Sequence, residues 1–245
     1  MTAEEAGRRG LHPTSLVSSL ADRLVTAIAV GAYSPGERLP PERELAERLG
    51  VSRVTLRQAL GRVADLGLLD VRRGRSGGSF VAAVAWEDIA PEAARRTLEV
   101  ELPRLVDLFD YRCMVEGMIA RAAAERRTAE DVTMMRDAMA EFRRATSMIE
   151  ARTWDRRLHG LIGAAARNPH LTLLSAHLTA AATLGFGSEP YEAGFVEQAT
   201  HEHAALVGHV VRGDAEVAGR CAQAHFALTL ETMRASLRRA TANGS

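Results

Sequence analysis

Apolar residues recur at helical spacing from the start of the chain, and glycines and prolines divide them into short segments. A first helix is predicted to follow the capping residues Thr14 and Ser15 and to end at Gly31, with an apolar stripe of Leu16, Leu20, Leu24 and Ile28. A second helix is predicted to hold Pro41 in its first turn, where a missing N–H costs nothing. It ends at Gly50 and has an inner face of Leu45, Ala46 and Leu49.

A third helix and two short strands follow directly. Ser52 is the predicted N-cap, and the buried stripe before Gly67 comprises Leu56, Ala59, Leu60, Val63 and Leu66. Strands are predicted near Leu69–Arg72 and Ser79–Ala82, because these runs flank a loop that contains Gly74, Gly77 and Gly78. Three helices followed by a hairpin predict a winged helix-turn-helix domain over residues 1–83.

Beyond residue 83 the pattern is helical, and no segment reads convincingly as a strand. Breaks are expected at Pro91, Pro103, Arg127–Thr128, Asn168–Pro169, residues 185–190 and Gly213. We expect six or seven helices in an all-helical antiparallel bundle over residues 101–240, which serves effector binding and dimerisation. A linker or linking helix over residues 84–100 joins the two domains. The predicted fold class is mainly α.

Composition supports two domains and places the charge unevenly. The 245 residues are 47% hydrophobic, which is enough for two cores. Formal net charge is zero, yet residues 51–79 carry six arginines against two acids. Cys113 and Cys221 lack metal-binding spacing and are typical of reduced thiols. Without an apolar leader or a membrane-length apolar run, the chain is expected to be cytoplasmic and not to partner a membrane.

The third helix carries side chains that suit DNA recognition. In a helix-turn-helix, the first residues of the second helix of the pair face base edges in the major groove. Here these residues are Ser52, Arg53, Val54, Thr55 and Arg57. Arginine suits bidentate contact with guanine, and threonine offers a hydroxyl to phosphate and a methyl to thymine. The wing arginines at positions 72, 73 and 75 are expected at phosphates or the minor groove, although most charge runs merely hydrate a surface.

Residues 36–81 resemble the DNA-binding domain of the GntR family of bacterial transcription regulators. The resemblance is carried by the runs PGERLPPERELAERLGVSRVTLRQAL and RRGRSGGSFV. Pro41 departs from the family, which often places serine there, so one possible backbone contact is lost. The resemblance implies that Arg43, Arg53 and Arg57 read bases or backbone and that Ser52, Thr55 and Gly74 lie at phosphates. With Arg73 and Arg75 of the wing, they form the predicted DNA-binding set.

Asp155 and His159 are four residues apart and therefore share one face of a predicted helix. A carboxylate and an imidazole at this spacing are suited to holding a divalent ion. The spacing is also common by chance, and it fixes no metal site alone.

Two later histidines are predicted to face inward. His203 shares a stripe with Leu206, Val207 and Val210, and His225 shares one with Cys221 and Leu228. His201 and His209 are expected on the opposite, solvent-exposed face. Three imidazoles and one carboxylate from three helices could therefore meet around one ion. The alternative is that each inward histidine is an ordinary hydrogen-bonded core residue.

Residues from about 105 to 230 resemble the ligand-binding FCD domain of the FadR-type branch of GntR regulators. The matching pieces are Arg112-x-x-x-Glu116, Asp155-x-x-x-His159, Asn168-Pro169, Glu202-His203, Gly213-Asp214 and His225. Many members of this branch bind a metal through one aspartate and three histidines. The resemblance thus implies a metal site made of Asp155, His159, His203 and His225, with zinc as the expected ion and nickel or manganese as alternatives. Members that bind acyl-CoA lack this set, which argues against that effector.

Arg112 is the candidate effector-binding residue. Arg112 and Glu116 lie on one stripe with Leu105 and Phe109, so both point inward or into a pocket. They either form an ion pair that ties the bundle together, or Arg112 holds the carboxylate of an effector whose other oxygens complete the metal shell.

Together these features predict a homodimeric transcription regulator that binds double-stranded DNA at a short palindromic operator and senses a small carboxylate. Repression is the expected mode, although no residue pattern separates it from activation. Two alternatives remain open. One is an enzyme whose metal activates water, for which neither Ser175 nor Glu202 stands out as a base or nucleophile. The other is a regulator whose metal is only structural.

Overall fold

The computed structural model describes residues 16–74, 77–186 and 195–243. Its first elements are α1 (Leu16–Ala29), α2 (Glu42–Leu49) and α3 (Arg53–Asp65), followed by an antiparallel hairpin of β1 (Leu69–Arg72) and β2 (Gly78–Val81). This is the predicted winged helix-turn-helix, and we call these five elements the winged-helix unit. The predicted caps Thr14 and Ser15 lie outside the described residues.

The turn between α2 and α3 has the local chemistry that the sequence predicts. Gly50 ends α2 in the left-handed conformation at φ 65° and ψ 31°, where a β-carbon would be strained. Two residues later, the Ser52 hydroxyl accepts a hydrogen bond of 3.0 Å from the backbone N–H of Thr55 and so caps α3. The two helices of the motif are therefore joined by a rigid, short connection.

Two details of the helices differ from the prediction. Pro41 is the N-cap of α2 rather than a first-turn residue, because its ψ of 139° is extended and the helix begins at Glu42. Its carbonyl accepts the first helical hydrogen bond, and its missing N–H again costs nothing. Leu66 was expected in the buried stripe but is 44% exposed, since α3 ends at Asp65 and the chain turns away from the core there. Leu68 and Leu69 fill the core instead.

A third chain segment pairs with the hairpin. Leu39 donates its backbone N–H to Ser79, Gly36 donates to the carbonyl of Val81, and Val81 donates to the carbonyl of Glu37. The sequence did not reveal this pairing, because a short run containing two charges has no strand pattern of its own. At the tip side of the hairpin, a β-carbon on Gly77 would lie 2.3 Å from the carbonyl oxygen of Arg72, so this position requires glycine.

After Val81 the described residues are helical and contain no further strand. The elements are the one-turn helix α4 (Trp86–Ile89) and six longer helices: α5 (Pro91–Arg126), α6 (Ala129–Arg144), α7 (Met148–Ala165), α8 (Pro169–Ala182), α9 (Phe195–Arg212) and α10 (Ala215–Asn243). Several breaks fall where polar capping residues were seen in the sequence. Thr128 and Asp131 form a reciprocal capping box at α6, and Asn168 caps α8 ahead of Pro169.

Pro103 does not break the chain as expected, because α5 continues through it. Proline removes the hydrogen bond to the carbonyl four residues earlier, that of Glu99. Both Pro103 and Glu99 are exposed, so water can solvate that carbonyl. On the other side of the helix, Leu98 and Leu102 are buried and hold the turn in place. Helix α5 therefore runs uninterrupted from the winged-helix unit into the bundle.

Two apolar cores fill the molecule. The first joins the winged-helix unit to α4, the first half of α5 and the last part of α10, through residues such as Leu24, Leu56, Leu98 and Met233. The second lies between helices α5 to α10 and includes Phe142, Leu158 and Leu206. Because α5 and α10 contribute to both, the two parts of the chain share packed side chains rather than a loose linker.

Candidate metal centre and nucleic-acid interface

The four predicted metal ligands come together inside the bundle. Asp155 and His159 are one turn apart on α7, His203 lies on α9, and His225 lies on α10. One potential ligand atom from each lies within 4.8 Å of every other. Asp155, His203 and His225 are buried, whereas the His159 side chain is 20% exposed. Three helices are thus needed to assemble one cluster, and helical periodicity points each donor inward.

The distances within the cluster match those around a single ion. The three Nε2 atoms lie 3.0–3.2 Å apart, and Asp155 Oδ1 is 3.1 Å from His203 Nε2 and 3.4 Å from His159 Nε2. Ligands of a tetrahedral ion at about 2.0–2.1 Å are separated by roughly 3.3–3.4 Å. Neighbouring ligands of an octahedral ion at similar bond lengths lie about 3.0 Å apart. The spacing therefore fits a metal and does not choose between these geometries.

The protonation chemistry of the cluster also suits a cation. Three imidazole Nε2 atoms facing one point cannot all donate, and lone pairs that face each other repel. A divalent ion at that point would accept all three lone pairs at once. Burial alone would raise the pKa of Asp155. The hydrogen bonds and electrostatic interactions of Asp155 with His159 and His203 outweigh the effect of burial and hold that pKa well below its usual range. Burial lowers the pKa of His203 to about 4, so its ring is neutral, as a ligand must be.

Glu202 orients one of the ligands, a role that the sequence did not suggest. The Nδ1 atom of His225 lies 2.9 Å from Glu202 Oε2. A donor at Nδ1 leaves Nε2 with its lone pair directed at the cluster, which fixes the tautomer that metal binding needs. In the sequence, Glu202 stands out only because it directly precedes His203. Its partner, His225, lies on a different helix.

The two histidines expected on the outer face are placed differently from each other. His201 is exposed, as predicted. His209 is half-buried, and its Nδ1 lies 3.0 Å from Asp214 Oδ2 and 2.9 Å from Arg212 Nη2. The prediction of full exposure was wrong for His209, because the turn after α9 brings Asp214 back against it. Neither residue is in the cluster.

A cavity of about 490 Å³ opens beside the cluster. Asp155 and His159 line it, so the α7 side of the cluster faces the cavity. Arg112, Glu116 and Phe226 line it as well. A ligand in the cavity would therefore meet two of the four donors and the predicted effector-binding arginine together. Such a volume is typical of small-molecule sites.

Arg112 is buried against the cavity wall at 1% exposure. Its Nη2 donates to Thr179 Oγ1 at 3.2 Å, and its guanidinium lies 4.6 Å from the centre of the Phe226 ring. The same ring lies 4.8 Å from that of His159, so Phe226 separates Arg112 from the cluster by the width of one ring. Glu116 accepts a 2.5 Å hydrogen bond from Ser175, which shows that Ser175 has a role the sequence did not indicate.

The first residues of α3 form an exposed face. Ser52 and Arg53 are exposed, and Val54 is 68% exposed. Thr55 is half-buried, with its hydroxyl 2.8 Å from that of Ser52. The exposed Val54 side chain offers the kind of apolar contact that a thymine methyl accepts. The arrangement is that of a reading helix whose N-terminal turn is open to a partner.

Two of the predicted DNA-contacting arginines are held by acids of α2. Arg57 lies 2.7 Å from Glu42 through Nη2, with Nε also within hydrogen-bond distance. Arg43 lies 3.5 Å from Glu47. Both arginine side chains are well exposed, at 65% and 77%, so these pairs are weak and can exchange for phosphate. The sequence predicted Arg43 and Arg57 as DNA contacts but did not indicate their pairing with Glu47 and Glu42.

The wing also presents cations. Arg73 and Gly74 are exposed, and Gly74 has a φ of 102° that favours glycine. Arg72 stacks on Phe80 with its guanidinium 4.2 Å from the ring centre, which directs it along the hairpin. Arg75, another predicted DNA-contacting residue, lies outside the described residues.

A buried arginine connects the cavity to the winged-helix unit. Arg152 lies on α7, one turn before Asp155, and its side chain is 5% exposed. It donates to the carbonyl of Gly31 at 2.5 Å and to Ser34 Oγ at 2.7 Å, and it pairs with Glu37. The sequence analysis did not single it out, because its partners lie more than 110 positions earlier in the chain. Helix α7, which carries two of the candidate metal ligands, therefore also contacts the winged-helix unit through Arg152.

None of the helices in the described ranges combines the length and apolarity needed to cross a membrane.

Two family models match the chain in separate segments. The model described as bacterial regulatory proteins of the gntR family matches residues 16–81. The model of the FCD domain matches residues 107–228, which include all four members of the cluster.

Individual proteins match over most of the chain. It is 31% identical over 237 residues to the HTH-type transcriptional regulator RmpR of Mycobacterium gastri, covering 94% of this chain and 81% of that protein. It is 30% identical over 214 residues to the galactonate operon transcriptional repressor of Escherichia coli, covering 82% and 91%. A solved GntR-family regulator from Pseudomonas syringae aligns with a TM-score of 0.48 at 19% identity, covering 95% of this chain and 91% of that one.

Proposed function

The chain belongs to the GntR family of bacterial transcription regulators and carries an FCD domain, and on that premise we propose that it is a metal-dependent sensor of a small carboxylate. As a DNA-binding transcription regulator it is not an enzyme. Binding of the carboxylate in the bundle changes how the winged-helix unit holds DNA. The protein acts where chromosomal DNA is found, in the cytoplasm.

The observation that carries this proposal is the cluster of one carboxylate and three imidazoles on the wall of a cavity. Asp155, His159, His203 and His225 are the residues that would hold the ion. When bound, a divalent metal supplies a positive charge and open coordination positions for a carboxylate oxygen. Zinc suits this donor set best, and nickel and manganese accept it as well.

Arg112 supports a carboxylate as the effector. Its guanidinium borders the same cavity and lies across one aromatic ring from the cluster. An arginine fork offers paired donors that match the two oxygens of a carboxylate. The E. coli relative is named as the repressor of a galactonate operon, and galactonate is itself a sugar acid. That name also favours repression as the mode of action.

The winged-helix unit reads DNA through the start of α3 and the wing. Arg53 and Arg57 on α3 and Arg43 on α2 are the proposed base or backbone contacts. Ser52, Thr55 and Gly74 are the proposed phosphate contacts. Arg73 and Arg75 are the proposed DNA contacts of the wing. Because a single winged-helix unit covers few base pairs, two symmetry-related units bound to a palindrome supply the specificity.

A stripe on α5 supports a homodimer. Tyr111, Met114 and Met118 are spaced by three and four residues, and each is 45–52% exposed. Three large apolar side chains on one helical face form a self-complementary surface for a second copy. Light scattering on the Met118→Arg variant should show monomers, whereas Ile149→Arg, at another exposed apolar residue, should leave dimers intact. Monomeric wild-type protein at micromolar concentration would contradict this assignment.

The route from cavity to DNA runs along α7. Asp155 and His159 border the cavity, and Arg152 on the same helix holds the turn between α1 and α2. A ligand that binds the two arrangements of α7 unequally shifts their populations, and with them the placement of the reading helix.

Thermal unfolding of the full-length protein tests the proposal. The zinc-loaded protein is heated with members of a panel of small mono- and dicarboxylates, and the EDTA-treated protein is heated in parallel. We expect at least one acid to raise the melting temperature of the zinc-loaded protein and to leave that of the metal-free protein unchanged. If EDTA lowers stability but no acid raises it, the metal is structural and the proposal fails.

A further inference from the structure

We propose that the winged-helix unit forms part of the effector site: Arg48, Arg152 and Arg156 make a second anion subsite, so the preferred effector carries an anionic group at both ends. This inference rests on the proposed function and names the chemical class of its ligand. It assigns Arg48, a residue of the DNA-binding motif, to ligand recognition.

The cavity lining itself spans the two parts of the molecule. Arg48 of α2 lines it together with Arg152 and Arg156 of α7. Along α7, Arg152 and His159 are seven residues apart on one face, which is about 10 Å along the helix axis. The cavity therefore has a cluster end at His159 and an arginine end next to the winged-helix unit, where Arg152 contacts Gly31. Arg156 lies between the two ends, three residues before His159.

The three guanidiniums all act electrostatically on one buried hydroxyl. Tyr33 is 3% exposed and donates to the carbonyl of Phe186 at 3.4 Å. Burial raises the pKa of Tyr33 to about 12, and Arg48, Arg152 and Arg156 all act to lower it. Three positive charges within electrostatic range of one oxygen are close to one another as well. Arg152 is buried and needs an anionic partner, whereas Arg48 and Arg156 are exposed and are hydrated until an anion displaces the water.

Among the residues that the structure describes, two carboxylates pair with arginines of this group. Glu37 pairs with Arg152, and Glu44 pairs with Arg48. Within the ranges that the structure describes, Arg156 makes neither a hydrogen bond nor an ion pair, although it lines the cavity. The Arg156 guanidinium is therefore available to a ligand, and Arg48 and Arg152 can contact the same ligand. Arg112 serves the cluster end and is separate from this group.

The two ends select a ligand by length and charge. A single carboxylate held by the ion and Arg112 leaves Arg156 without an anionic partner. A linear dicarboxylate places its second carboxylate beside the arginines and replaces the water around the exposed guanidiniums of Arg48 and Arg156 with a charge-assisted contact. Because Arg48 belongs to α2, the distal carboxylate would touch the DNA-binding motif directly.

Calorimetric titration with matched acids tests this subsite. The zinc-loaded, full-length protein is titrated with hexanoate and adipate, and with gluconate and glucarate. In at least one pair, the diacid should bind at least about tenfold more tightly than the monoacid. Arg156→Ala and Arg48→Ala should each remove most of that preference without weakening the monoacid. Arg157→Ala is the matched control, since Arg157 is an exposed neighbour outside the cavity lining.

The outcomes separate this inference from the function on which it rests. If the acids of each pair bind equally, or if Arg156→Ala keeps the preference, the second subsite is wrong and the proposed function stands. If Arg48→Ala keeps the preference for the diacid and Arg156→Ala loses it, the winged-helix unit takes no part in ligand binding. If the zinc-loaded protein binds none of the four acids, the proposed function is contradicted and the inference falls with it.

Discussion

The cluster of candidate metal ligands and the reading helix α3 are both built from charged and polar side chains, but their environments are opposite. In the cluster, Asp155 and His203 are buried and every donor faces another donor of the same chain. On α3, Arg53 and Val54 face solvent. Because unpaired polar groups are costly in a buried site, the chain itself must bring together all the side chains that surround a bound ion. An exposed site is completed by its partner, so its free structure shows only where the contacts begin.

This contrast predicts that mutations act differently at the two sites. A change in the cluster should alter metal binding and stability together, since the ion and the fold share the same residues. A change at a side chain of the reading helix that contacts only DNA should alter DNA binding and leave the fold almost untouched. The N-cap Ser52 is the exception, because its hydroxyl also stabilises the start of α3. Four substitutions examine this difference, two at each site.

The largest effect is expected for His203→Ala. It removes a fully buried donor, and we expect metal affinity to fall by more than about 100-fold, beyond the loss typical of a supporting residue. Metal content by elemental analysis after dialysis measures this. His201→Ala is the control, because His201 is exposed on the same helix. Equal loss in both variants would show that the ion, if present, is held elsewhere.

Arg53→Ala examines the exposed site. Removal of one bidentate base contact should cost about 1–3 kcal/mol of specific DNA binding. Fluorescence anisotropy on a duplex enriched from a random pool measures the affinity, and the melting temperature should stay the same. Arg157→Ala is the control for the loss of one positive charge, because Arg157 lies on α7 and not on the reading helix. An affinity equal to wild type would remove Arg53 from the interface.

Glu202→Gln examines the support of the cluster. The amide keeps the shape but loses the carboxylate that orients His225, and we expect metal affinity to fall by about 10–100-fold. Competition with a chelating dye gives the constant. Glu197→Gln, on the exposed first turn of α9, is the matched control. An unchanged constant would mean that Nδ1 of His225 needs no acidic partner.

The smallest effect is expected for Ser52→Ala. Loss of the N-cap hydrogen bond to Thr55 should lower the free energy of unfolding by about 0.5–2 kcal/mol. Ser52→Asp should restore the cap while placing a negative charge near DNA, so stability should recover and DNA affinity should not. Urea unfolding and anisotropy separate the two. Recovery of both would mean that position 52 does not lie near phosphate.

The sequence predicted most of the winged-helix unit because its signals are local. Gly50 and Gly67 mark turns through left-handed backbone geometry that few other residues adopt, and Ser52 marks a helix start through its side-chain cap. Pro103 misled the prediction, since a proline breaks a helix less readily when the affected carbonyl faces water and leucines pack behind it. The pairing of residues 36–39 with β2 joins segments about 40 positions apart, and no local pattern encodes it.

The cluster was predictable for a different reason. Helical periodicity turns His203 and His225 inward, and the family resemblance named the four ligands together. The supporting contacts were not predictable. Glu202 reaches a histidine of another helix, and Arg152 reaches a turn more than 110 positions earlier. Such contacts depend on how helices pack in three dimensions, which the spacing of residues within one helix does not specify.

We propose that an ion in the bundle lets a bound carboxylate change the affinity of the winged-helix unit for DNA. The DNA affinity of the full-length protein is therefore measured with and without the acid that stabilises it, in zinc and again in EDTA. We predict a change of about 5–150-fold in the dissociation constant in zinc and no change in EDTA. The same dissociation constant in all four conditions, or an equal change without metal, would contradict the claim.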